Sequence, residues 1–219
     1  MTQRAYDSIS KDQRRHVILA AASSLFEKRN GALPSVAQIA DAAGLGKGTI
    51  YIYYRSKEEI FSALLLERWL PALRILEEEF TCSEAALVQR IEGSISRFVK
   101  YVSSLPILLR LDALSKEVLE RNMSQAALAA HKDSILRDVD RIGETLERAL
   151  SLEPGRGFKL LTRTHAMTRG LWQSFGDAAL DCGLDQHHHP DFANELQEAL
   201  LEYWRGALAS DGAGVSIGG

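Results

Sequence analysis

The chain has 219 residues, of which 46% are hydrophobic and 25% charged, with a formal net charge of −3. These proportions describe a folded globular protein and exclude a disordered or collagen-like chain, and no run nears the roughly 18 uninterrupted apolar residues of a membrane span. Cys82 and Cys182 fit neither a metal spacing nor a disulfide framework, so a reducing, cytoplasmic setting is expected, and the polar residues 1–13 do not read as a secretory signal.

Apolar residues recur at helical spacing almost throughout, β-branched residues are thin, and an all-α fold is expected. Residues 14–29 put Ile18, Ala21, Ala22, Leu25 and Phe26 on one stripe, and Asn30-Gly31 stops that helix. Ser35-Val36-Ala37-Gln38 is a capping box. The short helix it opens should bury Val36, Ile39, Ala40 and Ala43 before Gly44 ends it, and Leu45 anchors a tight turn. A second short helix starts near Gly46-Lys47 and runs through Tyr53, with Ile50 and Tyr54 facing inward. Ser56-Lys57-Glu58-Glu59 is a further capping box that opens a long helix towards Phe80. Three helices with a glycine turn between the second and third make a helix-turn-helix.

Charge is unevenly spread. Residues 1–57 hold nine basic and four acidic side chains, a surplus of +5, so the rest of the chain carries −8. A basic module on an acidic body suits a polyanion-binding head with a separate second task. The third helix leaves Lys47, Gly48, Thr49, Tyr51 and Tyr53 outside. In a DNA major groove, Gly48 would permit close approach, Thr49 and the tyrosines would meet base edges, sugar or phosphate, and Lys47 and Lys57 would neutralise phosphates. Spacing alone also allows a protein-binding surface.

Residues 35–61, "SVAQIADAAGLGKGTIYIYYRSKEEIF", and residues 18–31, "ILAAASSLFEKRNG", resemble the signature of the TetR/AcrR family of bacterial transcriptional regulators. The resemblance covers about the first quarter of the chain. It implies a three-helix DNA-binding domain over residues 1–56 and a helical ligand-binding and dimerisation domain over 57–209; residues 210–219, small and nearly uncharged with nothing to bury, are expected to form a flexible tail. Matched by position, it implies DNA contacts from Ser35, Lys47, Gly48, Thr49, Tyr51, Tyr53 and Lys57. Two positions depart from the family pattern. Gly46 stands where a serine is usual, removing a side-chain phosphate contact, and Tyr54 replaces the usual phenylalanine, so its hydroxyl needs a partner or solvent.

Beyond residue 64 further helices are expected over 85–103, 106–113, 116–150, 158–180 and 191–208, and Pro71 should kink the long helix or mark a joint in it. Leu160, Leu161, Thr164, Met167, Thr168, Leu171 and Phe175 form one stripe, and Leu196, Leu200, Tyr203 and Trp204 another. Such stripes serve intramolecular packing equally well, but the resemblance implies a homodimer through these last two helices, set on a palindromic double-stranded DNA operator. It also implies a small-molecule effector, for which Trp69, Phe98, Tyr101, Leu105, Leu108, Met123, His165, Thr168 and Trp172 are the candidate lining. Each of these also fits plain core, and His165 needs a polar partner wherever it lies.

His187-His188-His189 with Asp191 cannot converge on one ion from consecutive loop positions. Cys182 has no oriented base, and no phosphate loop, dinucleotide fingerprint or paired carboxylate is present. No metal, cofactor or catalytic residue is therefore expected. The reading is a ligand-released repressor, set against a helical carrier or enzyme whose N-terminal module is only a docking surface.

Overall fold

A computed structural model describes residues 3–82, 85–176 and 191–210, with side chains described within 11–209. Among the described residues there is helix and no strand. In chain order the α-helices are α1 (Gln3–Lys28), α2 (Val36–Ala43), α3 (Lys47–Tyr53), α4 (Lys57–Cys82), α5 (Leu87–Ser103), α6 (Pro106–Ala113), α7 (Gln125–Leu150), α8 (Arg156–Phe175) and α9 (Phe192–Ser210). The expected all-α fold is thus observed.

The chain packs as two units, Met1–Arg68 with Arg110–Lys132, and Trp69–Leu109 with Asp133–Gly219. Packing therefore does not divide at residue 57. The opening turns of α4 belong with the first three helices, and a later stretch returns to them. The reason is visible in side chains. Ile60, Phe61 and Leu64 of α4 are buried with Ile18, Phe26, Ile39 and Ile50, and the rings of Phe26 and Phe61 lie 5.5 Å apart. From the returning stretch, the Arg110 guanidinium donates to Asn30 Oδ1 at 2.7 Å and Ser62 Oγ donates to Met123 Sδ at 3.3 Å.

The second unit is built on α5, α8 and α9. Phe98, Leu160, Leu161, Leu196, Leu200 and Trp204 are buried there, and Trp204 stacks on Phe80 with centroids 5.6 Å apart. Trp204 Nε1 donates to Thr164 Oγ1 at 2.9 Å, so its polar atom is satisfied inside the apolar layer. Close helix approach sets the geometry of α7 against α8. A Cβ on Gly143 would stand 2.8 Å from the Phe158 amide nitrogen, and one on Gly157 would run into the Gly143 carbonyl.

Three local expectations need correction. A single helix over 116–150 is not formed: a π-helical turn (Ser115–Leu119) and a 3-10 turn (Glu120–Asn122) precede α7. The break has a local cause, because Met123 is extended and Ser124 Oγ takes the Ala127 amide, starting a new helix. Helix α1 begins well before residue 14, and α8 begins at Arg156, after Gly155 with φ 81°. Pro71 sits inside an unbroken α4, two residues beyond the point where that helix passes from the first packing unit to the second. The three consecutive histidines, Cys182 and the tail from residue 211 lie outside the described residues.

Candidate nucleic-acid interface and interior cluster

The helix-turn-helix is fixed by helix caps that the local sequence dictates. Ser35 is extended (φ −73°, ψ 158°), its Oγ accepts the Gln38 amide at 3.3 Å, and Gln38 Oε1 accepts the Ser35 amide at 2.9 Å. This reciprocal pair satisfies two amides that an open helix end would leave unpaired. At the other end Gly44 is left-handed (φ 64°), its amide reaches Ala40 and Asp41, and the Leu45 amide returns to the Ala40 carbonyl at 2.9 Å. A left-handed residue costs glycine little, so α2 stops there and the chain turns into α3. Gly46 caps α3 with its carbonyl alone, as the absent serine implies.

Ile50 is fully buried and Tyr54 is 9% exposed, which locks one side of α3 into the core. Burial raises the Tyr54 phenol pKa, against a lowering by Arg15 and a smaller raising by Glu67. Lys47 and Gly48 are exposed, Tyr51 is 46% exposed, and Thr49 and Tyr53 are half-buried. The Lys47 ammonium lies 5.9 Å from the Tyr51 ring centroid, so a cation and an aromatic ring share the outer surface. Gly48 has open space where a Cβ would stand, so the fold itself does not require glycine. Ser35 is exposed, and its hydroxyl accepts within the cap while keeping its own proton to donate.

The second capping box is a variant. Ser56 Oγ accepts the Glu59 amide at 3.2 Å, but Glu59 Oε2 reaches one residue further back, to the Arg55 amide at 2.9 Å. Half-buried Lys57 opens α4 with its Nζ 4.0 Å from Glu58. Sequence spacing missed Ile52, which is 75% exposed on α3. Its position two residues from both Ile50 and Tyr54 was the available signal.

The interior candidates do not stand together. Trp69, Phe98 and His165 form a cluster in the second unit: the Trp69 ring lies 6.4 Å from Phe98 and 4.7 Å from His165, edge to face with the latter. Trp69 Nε1 is buried without a hydrogen-bond partner. Leu108 is buried, whereas Tyr101 and Leu105 are half-buried. Thr168 spends its hydroxyl on the Thr164 carbonyl at 2.8 Å, and half-buried Trp172 packs edge to face on Phe192 at 5.2 Å. Met123 belongs to the first unit. The residues expected at the dimer contact are used within the chain: Leu196, Leu200 and Trp204 are buried as α9 packs on α5 and α8.

Two family models match this architecture. "Bacterial regulatory proteins, tetR family" covers residues 18–64, and "Tetracyclin repressor-like, C-terminal domain" covers residues 66–211. The chain belongs to the TetR family. Membership sets it among regulatory proteins and not among enzymes. A curated relative, the uncharacterised HTH-type transcriptional regulator YfiR of Bacillus subtilis (strain 168), is 28% identical over 89 residues, spanning 41% of this chain and 40% of that protein. Solved TetR-family structures share the fold over nearly the whole length. One from Syntrophomonas wolfei str. Goettingen has a TM-score of 0.63 at 14% identity, covering 95% of this chain and 100% of that one. One from Mesorhizobium loti MAFF303099 has a TM-score of 0.57 at 20% identity, covering 96% and 98%. SmeT, the repressor of the Stenotrophomonas maltophilia multidrug efflux pump SmeDEF, has a TM-score of 0.51 at 20% identity, covering 93% and 94%. No helix among the described residues is long and apolar enough to cross a membrane, and no cluster of His, Cys, Asp or Glu among them could hold a metal ion.

Proposed function

We propose that this TetR-family chain is a homodimeric repressor that holds a palindromic DNA operator through α3 and releases it when a small, largely apolar ligand binds the second unit. The observation that carries the reading is the outer face of α3. Caps at both ends of α2 and the buried Ile50 hold that face rigidly, and it offers Lys47, Gly48 and Tyr51 within a segment of surplus positive charge. Lys47 and Lys57 neutralise phosphates. Ser35, Thr49 and Tyr53 donate to the sugar-phosphate backbone and fix register, and Gly48 lets the duplex approach.

A palindrome demands two copies of α3 one helical turn of DNA apart, about 34–36 Å. The outward faces of α8 and α9 supply the dimer contact, since their inward stripes are already covered by the chain's own core. Release requires the ligand to favour a dimer whose two α3 helices are wrongly spaced, and its leverage equals its affinity difference between the two states. The Trp69–Phe98–His165 cluster is the ligand position supported best. An unpaired buried indole N–H costs about 1–3 kcal/mol, which an acceptor atom on the ligand would recover. The repressor title of SmeT, a protein of like fold, accords with the direction of control.

The test is binding of the purified chain to duplexes spanning its own upstream region, over a range of salt. Affinity should fall steeply with salt for the wild type, and Lys47→Ala should flatten the slope by about one counterion per subunit. Wild-type affinity that ignores salt, or a native mass spectrum showing monomer alone, would overturn the two-half-site reading.

A further inference from the structure

Helix α3 carries a side chain whose position nothing in the chain's own packing explains. Ile52 follows the buried Ile50 by two residues and precedes the buried Tyr54 by two. Two residues turn an α-helix by about 200°, so Ile52 stands on the side opposite the core. Gly48, four residues earlier, shares that side and has open space around its α-carbon. The outermost ridge of α3 is therefore a glycine followed by an isoleucine, with Ile52 75% exposed. It is the most exposed large hydrophobic side chain among the described residues, and Tyr51 beside it is another. Neither solubility nor helix propensity selects a β-branched aliphatic residue on the solvent side of a seven-residue helix.

We infer that Ile52 is a specificity-determining residue that reads a thymine 5-methyl group in the major groove of each operator half-site. The inference rests on the DNA-binding reading above and goes beyond it to the base that is read. Helix α3 (Lys47–Tyr53) has no arginine, asparagine or glutamine to form paired hydrogen bonds with a purine edge. Of the features a base pair presents in the major groove, the thymine methyl is the apolar one, and an aliphatic side chain is its complement. Gly48 lowers the ridge beside Ile52, so the isoleucine projects past its neighbour towards the groove floor.

The experiment uses duplexes enriched from a random pool by the wild-type protein itself. Each thymine of the enriched site is then replaced by deoxyuridine, which lacks the methyl and keeps the pairing edge. At one position per half-site the replacement should weaken wild-type binding by about fourfold, and about fifteenfold when made in both half-sites. Ile52→Ala should lose that sensitivity, and pools enriched by it should no longer favour thymine there. Ile52→Val should retain part of both. Matching thermal midpoints check that these exposed-site variants fold alike. If every deoxyuridine duplex binds the wild type as tightly as its parent, or if Ile52→Ala keeps full sensitivity, the assignment of Ile52 is overturned and DNA binding stands. A wild-type chain that enriches no sequence overturns both.

Discussion

In the helix-turn-helix, burial separates two kinds of residue. Ile39, Ala40 and Ile50 are buried and hold the unit together, while Lys47, Gly48, Tyr51 and Ile52 are exposed and free for a partner. In the second unit the two kinds share one environment. Trp69 and Phe98, proposed to meet a ligand, are buried in the same core as Leu160 and Leu200. An exposed surface can thus be altered without touching the fold. The interior cluster proposed for the ligand cannot, because each of its groups also carries packing energy.

The largest effect that tests this contrast is Trp204→Ala. Removing a fully buried indole that stacks on Phe80 and bonds Thr164 should cost about 4 kcal/mol. Urea unfolding followed by circular dichroism would show it, and a loss below about 1 kcal/mol would mean that α9 is not anchored by this residue. Gly157→Ala comes next, at about 3 kcal/mol, because its methyl group meets backbone of α7 that has no flexible end to give way. Gly48→Ala makes the opposite case: with open space at that site, stability should hold while DNA affinity drops.

On the outward surface, Tyr51→Ala should weaken operator binding about tenfold with its melting temperature unchanged. If the melting temperature fell with the affinity, the separation of roles by burial would fail in the very region where it is clearest. Ser35→Ala crosses the divide, since Ser35 caps α2 and is also proposed to touch DNA. It should cost about 1 kcal/mol of stability in addition to its loss of affinity.

The smallest effect concerns His131, whose pKa burial pulls below its ordinary value, with Glu120 raising it and Lys132 lowering it less. The unfolded chain then binds the proton more readily than the folded one. Stability is full above the ordinary histidine range and declines as pH falls from about 6.5 towards the lowered pKa. His131→Gln should narrow the gap between the melting temperatures at pH 7.5 and pH 5.5. An equal gap in both proteins would remove His131 from the acid response.

How much of this could be read from residues alone differs between the two regions for the same reason. The caps at Ser35, Gly44 and Gly46 and the inward residues Ile50 and Tyr54 are properties of short contiguous segments, and α2 and α3 form where those segments place them. The same helical period marks Ile52 as outermost, two residues from both inward-facing Ile50 and Tyr54. The break before α7 was signalled by Ser124, but the apolar periodicity on both sides of it masked the cap.

The amino-acid sequence by itself determined the all-α class, the turn geometry of the helix-turn-helix and the family. Each depends on interactions within a few residues: a cap, a left-handed glycine, an apolar stripe. Only the tertiary structure decided which of the apolar helices meet. It put Trp69 against Phe98 and His165, returned the stretch around Arg110 to Asn30, and used the α9 stripe for the chain's own core. Hydrophobic burial is non-directional and rewards any apolar face that loses water. Partners distant in sequence are therefore selected by the fit of whole surfaces, which no local pattern encodes.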